Sequence, residues 1–193
     1  MSKYKHDYAS TKPGTLAGRY LRMFWQPVHR VEDVKMGQAK PLRIMSEDYT
    51  LYRADDGVPH LTEARCPHRG TVLTSAWIEG DALRCFYHGW KFDVTGRCVD
   101  MPSEPGESNF RNKVKLTAYP CEEHGGVIWA YMGPKERKPA FPELEWTAVP
   151  ASHRYVTRRL QECNWLQGYE GGWDTAHLPF LHRGDTRGST YFS

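Results

Sequence analysis

The chain has 193 residues, 39% of them apolar and 13% aromatic, enough for one full domain and part of another. A net charge of +3, thinly dispersed, excludes the basic surface of a nucleic-acid binder. Five cysteines, an odd number with two at metal-ligand spacing, argue against a disulfide scaffold and for a reducing compartment. Residues 1–14 are polar with no apolar signal region, and the longest apolar patch, 126–132, is far short of a membrane span, so the expected location is cytoplasmic, with no membrane partner.

In chain order, residues 1–40 read as an arm with a short helix near Leu16 to Met23, and Phe24-Trp25-Gln26-Pro27-Val28 begins the packed part. From Leu42 the pattern is β. Tyr49–Ala54 and Val58–Glu63 flank Asp55-Asp56-Gly57, a hairpin signal. Ala76–Ile78 and Ala82–Cys85 bracket Glu79-Gly80-Asp81, and Lys91–Val94 and Arg97–Asp100 bracket Thr95-Gly96. Val114–Tyr119 and Val127–Tyr131 are expected to pair around His124-Gly125-Gly126. Short strands with turns at this spacing predict a mainly β domain over 41–133, a small antiparallel barrel or sandwich. Residues 134–145, rich in charge and proline, read as a linker, and 146–193 as the beginning of an α+β second domain. There, Tyr155–Leu160 reads as a strand, and Asn164 as the cap of a helix running through Glu170 toward His177.

Two short stretches carry the chemistry. Cys66-Pro67-His68-Arg69-Gly70 and Cys85-Phe86-Tyr87-His88-Gly89-Trp90 each offer one thiolate and one imidazole. Zinc-chelating pairs usually have two to four residues between them, whereas Cys66 and His68 have one. The difficulty disappears if Cys66 and Cys85 hold one iron and His68 and His88 another, the ligand set of a Rieske [2Fe–2S] centre. The alternatives are a zinc site or four unrelated residues.

Cys-x-His followed by Cys-x-x-His, with Pro67, Arg69, Gly70, Gly89 and Trp90 around them, resembles the Rieske ring-hydroxylating oxygenases. Where respiratory-chain Rieske proteins carry an extra cysteine in each loop and a serine after the second His-Gly, this sequence has Thr71, Tyr87 and Trp90. Fewer hydrogen bonds to the sulfurs imply a low potential, around −150 mV. Trp90 and Tyr87 are expected to pack around the cluster, and Tyr87 to offer it a hydrogen bond.

Asp174-Thr-Ala-His177-Leu-Pro-Phe-Leu-His182 is the second stretch. On a helix Asp174 and His177 share a face, while His177 and His182 diverge by about 140°. Pro179 is expected to break the turn between them and let the second imidazole swing back. Two histidines plus a carboxylate with open positions form the ligand set of non-haem iron(II) oxygenases. Read alone, the spacing is equally that of one packed and one surface histidine. Asn164-Trp165, Glu170, Asp174, His177 and His182 also match, in order, the opening of the catalytic domain in Rieske oxygenases, here of the phthalate-dioxygenase type built from α subunits alone.

The resemblance implies that His177 and His182 bind a mononuclear Fe(II) and that Asp174 links it to the Rieske histidine of a neighbouring subunit. It implies a homotrimer fed from NAD(P)H through a separate ferredoxin-type reductase. It also implies O₂-dependent hydroxylation or O-demethylation of an aromatic substrate, one carrying a carboxylate that Arg158, Arg159, Arg183 or Arg187 could meet. The third iron ligand is expected beyond residue 193, Asp185 being the in-chain candidate, and the chain is read as the N-terminal part of a longer oxygenase subunit. The alternative is a Rieske-type ferredoxin that only carries electrons, which has no use for the residue 164–182 motif.

Overall fold

The structure is a computed structural model that describes residues 8–183. The chain divides into two compact units, Met1–Arg158 and Arg159–Ser193.

The first unit begins with a single helical turn and a half, α1 (Leu16–Leu21), capped by the Thr15 hydroxyl, which accepts from the Gly18 amide. Its strands run β1 (Trp25–Arg30), β2 (Gln38–Ile44), β3 (Glu47–Arg53), β4 (Pro59–Glu63), β5 (Trp77–Glu79), β6 (Ala82–Arg84), β7 (Lys91–Phe92), β8 (Cys98–Asp100), β9 (Ala118–Tyr119), β10 (Cys121–His124) and β11 (Val127–Tyr131). They form three sheets, in the orders β1-β11-β10, β2-β3-β4-β9 and β5-β6-β7-β8, and every pairing is antiparallel. The mainly β, antiparallel expectation holds. The short helix α2 (Glu145–Ala148) follows.

Burial explains the sheet arrangement. Strand β3 is enclosed on both faces, Tyr49, Thr50, Leu51 and Tyr52 all being buried, so its apolar residues do not alternate. Val28, Leu42, Tyr49, Leu51, Leu61, Ile128 and Ala130 form the core cluster shared by the first two sheets. A second cluster gathers Cys66, Leu73, Cys85, Trp90, Phe92, Cys98, Met101 and Leu116, which places the two cysteine loops over apolar packing of their own.

The hairpin turns at Gly57, Gly80 and Gly96 form where the sequence predicts them. Gly96 is also a crossing point. Its φ is +84°, and a Cβ there would stand 1.8 Å from the Leu116 carbonyl oxygen; the Leu116 amide donates to the Gly96 carbonyl at 2.7 Å. The β2–β3 hairpin turns on Met45 and Ser46, both at positive φ (48° and 66°), residues that carry no turn signal of the Asn-Gly kind.

Two strand expectations are corrected. Val114–Tyr119 does not pair with Val127–Tyr131. Ala118 and Tyr119 pair with Thr62 and Leu61 of β4, and Pro120, which lacks an amide hydrogen, separates them from β10, the strand that makes the hairpin with β11. Apolar alternation identifies a strand but not its partner. Tyr155–Leu160 is not a strand either. Side chains hold that backbone instead of a ladder: Arg30 Nη1 donates to the Val156 carbonyl (3.2 Å), and Arg158 Nη1 meets His29 Nε2 at 3.1 Å.

The stretch 134–145 packs along β1-β11-β10. Trp25 Nε1 donates to the Pro139 carbonyl, and Phe141 stacks on His124 with ring centroids 3.8 Å apart.

The second unit carries α3 (Trp165–Trp173) and α4 (Leu178–Leu181). Asn164 caps α3 as expected, its Oδ1 accepting from the Leu166 amide at 2.9 Å. The helix ends at Trp173 and does not reach His177. Pro179 lies in the first turn of α4, where a missing amide hydrogen costs nothing, so it starts a helix and does not break one. No helix among the described residues is long and apolar enough to cross a membrane.

Candidate metal centres

The two cysteine loops have the same construction. In the first, the Cys66 amide donates to the Thr71 carbonyl (2.8 Å) and the Gly70 amide to the Cys66 carbonyl (3.0 Å); in the second, the Cys85 amide donates to Trp90 (2.9 Å) and the Gly89 amide to Cys85 (2.9 Å). Gly70 and Gly89 sit at φ +73° and +74°, a left-handed conformation that glycine adopts without strain. Each loop thus closes tightly behind its cysteine.

The four side chains meet as two pairs. Cys66 and Cys85, both buried, lie against each other, while the His68 and His88 rings approach with centroids 4.4 Å apart. A cysteine pair beside a histidine pair is the grouping that two metals, one per pair, would need.

The local chemistry also fits. His68 Nδ1 is buried and has no hydrogen-bond partner among the protein atoms, which fits a nitrogen that would take a ligand. Burial, then the neighbouring His88 and Arg69, holds His68 below the ordinary imidazole range, so its lone pair is available. Burial pushes the Cys66 thiol up to about 11, against the backbone N–H groups of His68 and Arg69, which point at its sulfur; Cys85 adds to the rise. Such a thiol stays protonated until a cation replaces the proton, and those amides are then placed to donate to a thiolate. Trp90 covers His68, its indole stacked on that ring at 4.3 Å and its Nε1 donating to Ser103 Oγ at 3.3 Å. Tyr87 is exposed and lies against the His88 ring at 3.9 Å.

An arginine precedes each cysteine. Arg65 Nη1 donates to the Gly70 carbonyl at 2.8 Å, and Arg84 Nη1 to the Gly89 carbonyl at 2.7 Å. The repeated Arg-Cys pair is visible in the sequence, but its role there passes unnoticed because arginine before a strand end reads as surface charge.

The second candidate lies in the other unit. Asp174 ends α3, and its Oδ1 accepts from the Ala176 amide at 2.8 Å while Oδ2 meets His177 Nδ1 at 3.0 Å. The two residues face each other across the turn between α3 and α4, not along one helix. The Ala176 amide and then His177 hold the Asp174 carboxyl below the usual range. With Nδ1 engaged, His177 has Nε2 to offer a metal. The His182 ring stands 5.5 Å from that of His177. Asp185 and Arg187 lie outside the described residues. Arg158 is spent on His29 in the first unit.

Residues 24–120 match the model of the Rieske [2Fe–2S] domain, and residues 130–191 that of the LigXa C-terminal domain like family. The chain belongs to the Rieske [2Fe–2S] family. It is 38% identical to the 3-chlorobenzoate-3,4-dioxygenase oxygenase subunit of Comamonas testosteroni, across 95% of this chain and 43% of that one. With the phthalate 4,5-dioxygenase oxygenase subunit of Pseudomonas putida it shares 40% identity across 87% of this chain and 39% of the relative. Among solved structures it superposes on dicamba monooxygenase bound to dicamba with a TM-score of 0.72, at 26% identity, across 84% of this chain and 48% of that one. Both of these curated relatives are named as oxygenase subunits. This Rieske chain spans less than half the length of the curated relatives it matches.

Proposed function

We propose that this Rieske chain belongs to the oxygenase component of a multicomponent system that uses O₂ and electrons from NAD(P)H, delivered by a separate reductase, to hydroxylate or O-demethylate an aromatic, carboxylated substrate. One observation carries the reading over that of an electron-carrying ferredoxin: the Asp174–His177 hydrogen bond beside the His182 ring, on a chain that also bears the paired cysteine and histidine loops. A carrier has no use for the former.

In this reading Cys66 and Cys85 hold one iron of a [2Fe–2S] cluster, His68 and His88 the other, and His177 and His182 hold a mononuclear Fe(II). When bound, the cluster would supply single electrons and the mononuclear iron would supply the O₂ chemistry at the substrate. The His68 and Arg69 amides offset charge on the Cys66 sulfur, and Trp90 keeps water from His68. Asp174 fixes the tautomer and ring orientation of His177. It is half exposed, which leaves its outer edge open to a neighbouring subunit's Rieske histidine in a closed trimer. The reducing cytoplasm suits the free thiols. The substrate class rests on the names of the relatives, which act on chlorobenzoate and phthalate.

The test is iron and acid-labile sulfide per chain on anaerobically purified protein from the full natural reading frame. Three irons to two sulfides supports the oxygenase reading. Two to two leaves a carrier, and zinc without sulfide overturns both metal assignments.

A further inference from the structure

We propose that Arg84 is a positioning residue for the cluster, holding its second loop to the sheet below and thereby setting how firmly, and at what potential, the cluster is held. The inference rests on the cluster reading above.

The two loops carry the same staple. Each arginine stands immediately before a ligand cysteine and reaches five residues ahead, to the carbonyl of the left-handed glycine that follows the loop's histidine, directly in the second loop and one residue on in the first. The amide of that glycine is already taken by the cysteine carbonyl. The arginine therefore fixes the second polar group of the peptide that follows, and the turn is closed on both sides.

The staples differ in what stands behind them. Arg65 is exposed at the loop edge. Arg84 is 18% exposed, and besides Gly89 it donates through Nε to Glu79 at 2.8 Å and through Nη1 to Asp100 at 2.7 Å. Glu79 in turn meets Lys91 Nζ at 3.1 Å. One charged residue thus comes from each strand of β5-β6-β7-β8. Arg84 pairs directly opposite Lys91, and Lys91 opposite Asp100. Two like charges side by side would repel; Glu79, bridging both, removes the conflict. The group is neutral as a whole, and through Arg84 the carbonyl next to His88 is tied to four strands. A planar guanidinium can satisfy a carbonyl and two carboxylates at once, which an ammonium at the end of a lysine cannot do in the same geometry.

The experiment compares wild type, R84Q, R84K, R65Q and D100N as full, cluster-loaded chains. Reduction potential, the electron paramagnetic resonance signature and the rate of iron loss to a chelator are read alongside the thermal midpoint. Loss of the guanidinium leaves Glu79 and Asp100 unbalanced beside a cluster that gains negative charge on reduction. R84Q is expected to disfavour the reduced form about tenfold, about 59 mV lower for one electron, with an altered signature and about tenfold faster iron loss. R84K keeps the charge and not the reach, so its potential stays near wild type while iron loss remains fast. R65Q stays within about twofold of wild type in both.

Wild-type potential and iron loss in R84Q overturn the proposal. So does full rescue of iron loss by R84K, which would make charge alone sufficient. Should R84Q not accumulate with a cluster, D100N removes one anchor of the guanidinium and leaves the loop intact; faster iron loss supports the proposal and wild-type behaviour overturns it. A wild-type chain without two irons and two sulfides fails the cluster reading itself, whereas silent arginine variants on a loaded chain fail only this inference.

Discussion

The indole of Trp90 lies flat on the imidazole of His68, ring planes 9° apart, while its Nε1 donates to Ser103. A face-to-face cover of this kind holds the His68 ring, whose Nδ1 is buried, in one rotamer. Trp90→Phe keeps the stacking surface and loses the hydrogen bond, at about 1 kcal/mol. Trp90→Ala removes a 4% exposed side chain and is expected to cost about 3–5 kcal/mol. Urea unfolding of the iron-free chain ranks the three; identical midpoints would show that the indole packs against nothing that matters.

The glycines after the two histidines should not respond equally to alanine. Both occupy the left-handed region, where a Cβ costs about 1–2 kcal/mol. At Gly70 the added methyl meets open space, whereas at Gly89 it stands 3.2 Å from Pro102 Cγ. Gly89→Ala is therefore expected to lose more stability, and more cluster, than Gly70→Ala. Thermal midpoints and sulfide content of the two variants check the order.

Acid should weaken the first unit before its carboxylates titrate. His29 is held below the ordinary imidazole value by burial, then by Arg158, with Lys40 adding and the Arg30 carbonyl and Asp33 opposing. His60 is lowered by burial, opposed by Asp56 and Asp81. Both are easier to protonate in the unfolded chain, so their contribution is complete above the free imidazole value of about 6.5 and is lost as pH falls through it toward the folded values. The chain with both His29→Asn and His60→Asn should show a flatter stability curve between about pH 7 and pH 5. Parallel curves for variant and wild type would refute this.

Asp174→Ala separates holding a metal from using it. The proposed cluster ligands Cys66, His68, Cys85 and His88 sit in the other unit, and His177 and His182 remain, so both sites are expected to fill at saturating iron(II). Product formation coupled to cluster oxidation should fall roughly 10–100-fold, the usual cost of losing a group that orients a ligand. Single-turnover oxidation followed by product analysis reads the effect; unchanged coupling would remove Asp174 from the electron route.

The sequence shows the candidate ligands because their chemistry is carried by residue type at fixed spacing. Cys66, His68, Cys85 and His88 stand out against any background, and Gly57, Gly80 and Gly96 mark their turns through a backbone conformation that other residues avoid. Strand partnership is a different matter. Nothing in Val114–Tyr119 indicates that its end pairs with β4, because an antiparallel strand offers the same groups to either neighbour. The Met45-Ser46 turn is hidden for the opposite reason: tertiary packing imposes positive φ on residues that do not favour it. Pro179 reads as a breaker because proline is tolerated at a helix start and nowhere deeper, and the sequence does not say where the helix starts.

The crossing at Gly96 has a practical result. With the Leu116 amide on the Gly96 carbonyl and Arg97 bridged to Lys115, the excursion between β8 and Leu116 leaves and returns through one fixed gate. Its ends are already held together, so doubling its length would add only about 0.6 kcal/mol of closure entropy. Gly106, near its apex, has open space around the position of a Cβ. A short tag or a fluorescent reporter spliced there would ride on the same excursion as Ser103, which accepts from Trp90 over His68, without touching the strands that hold it.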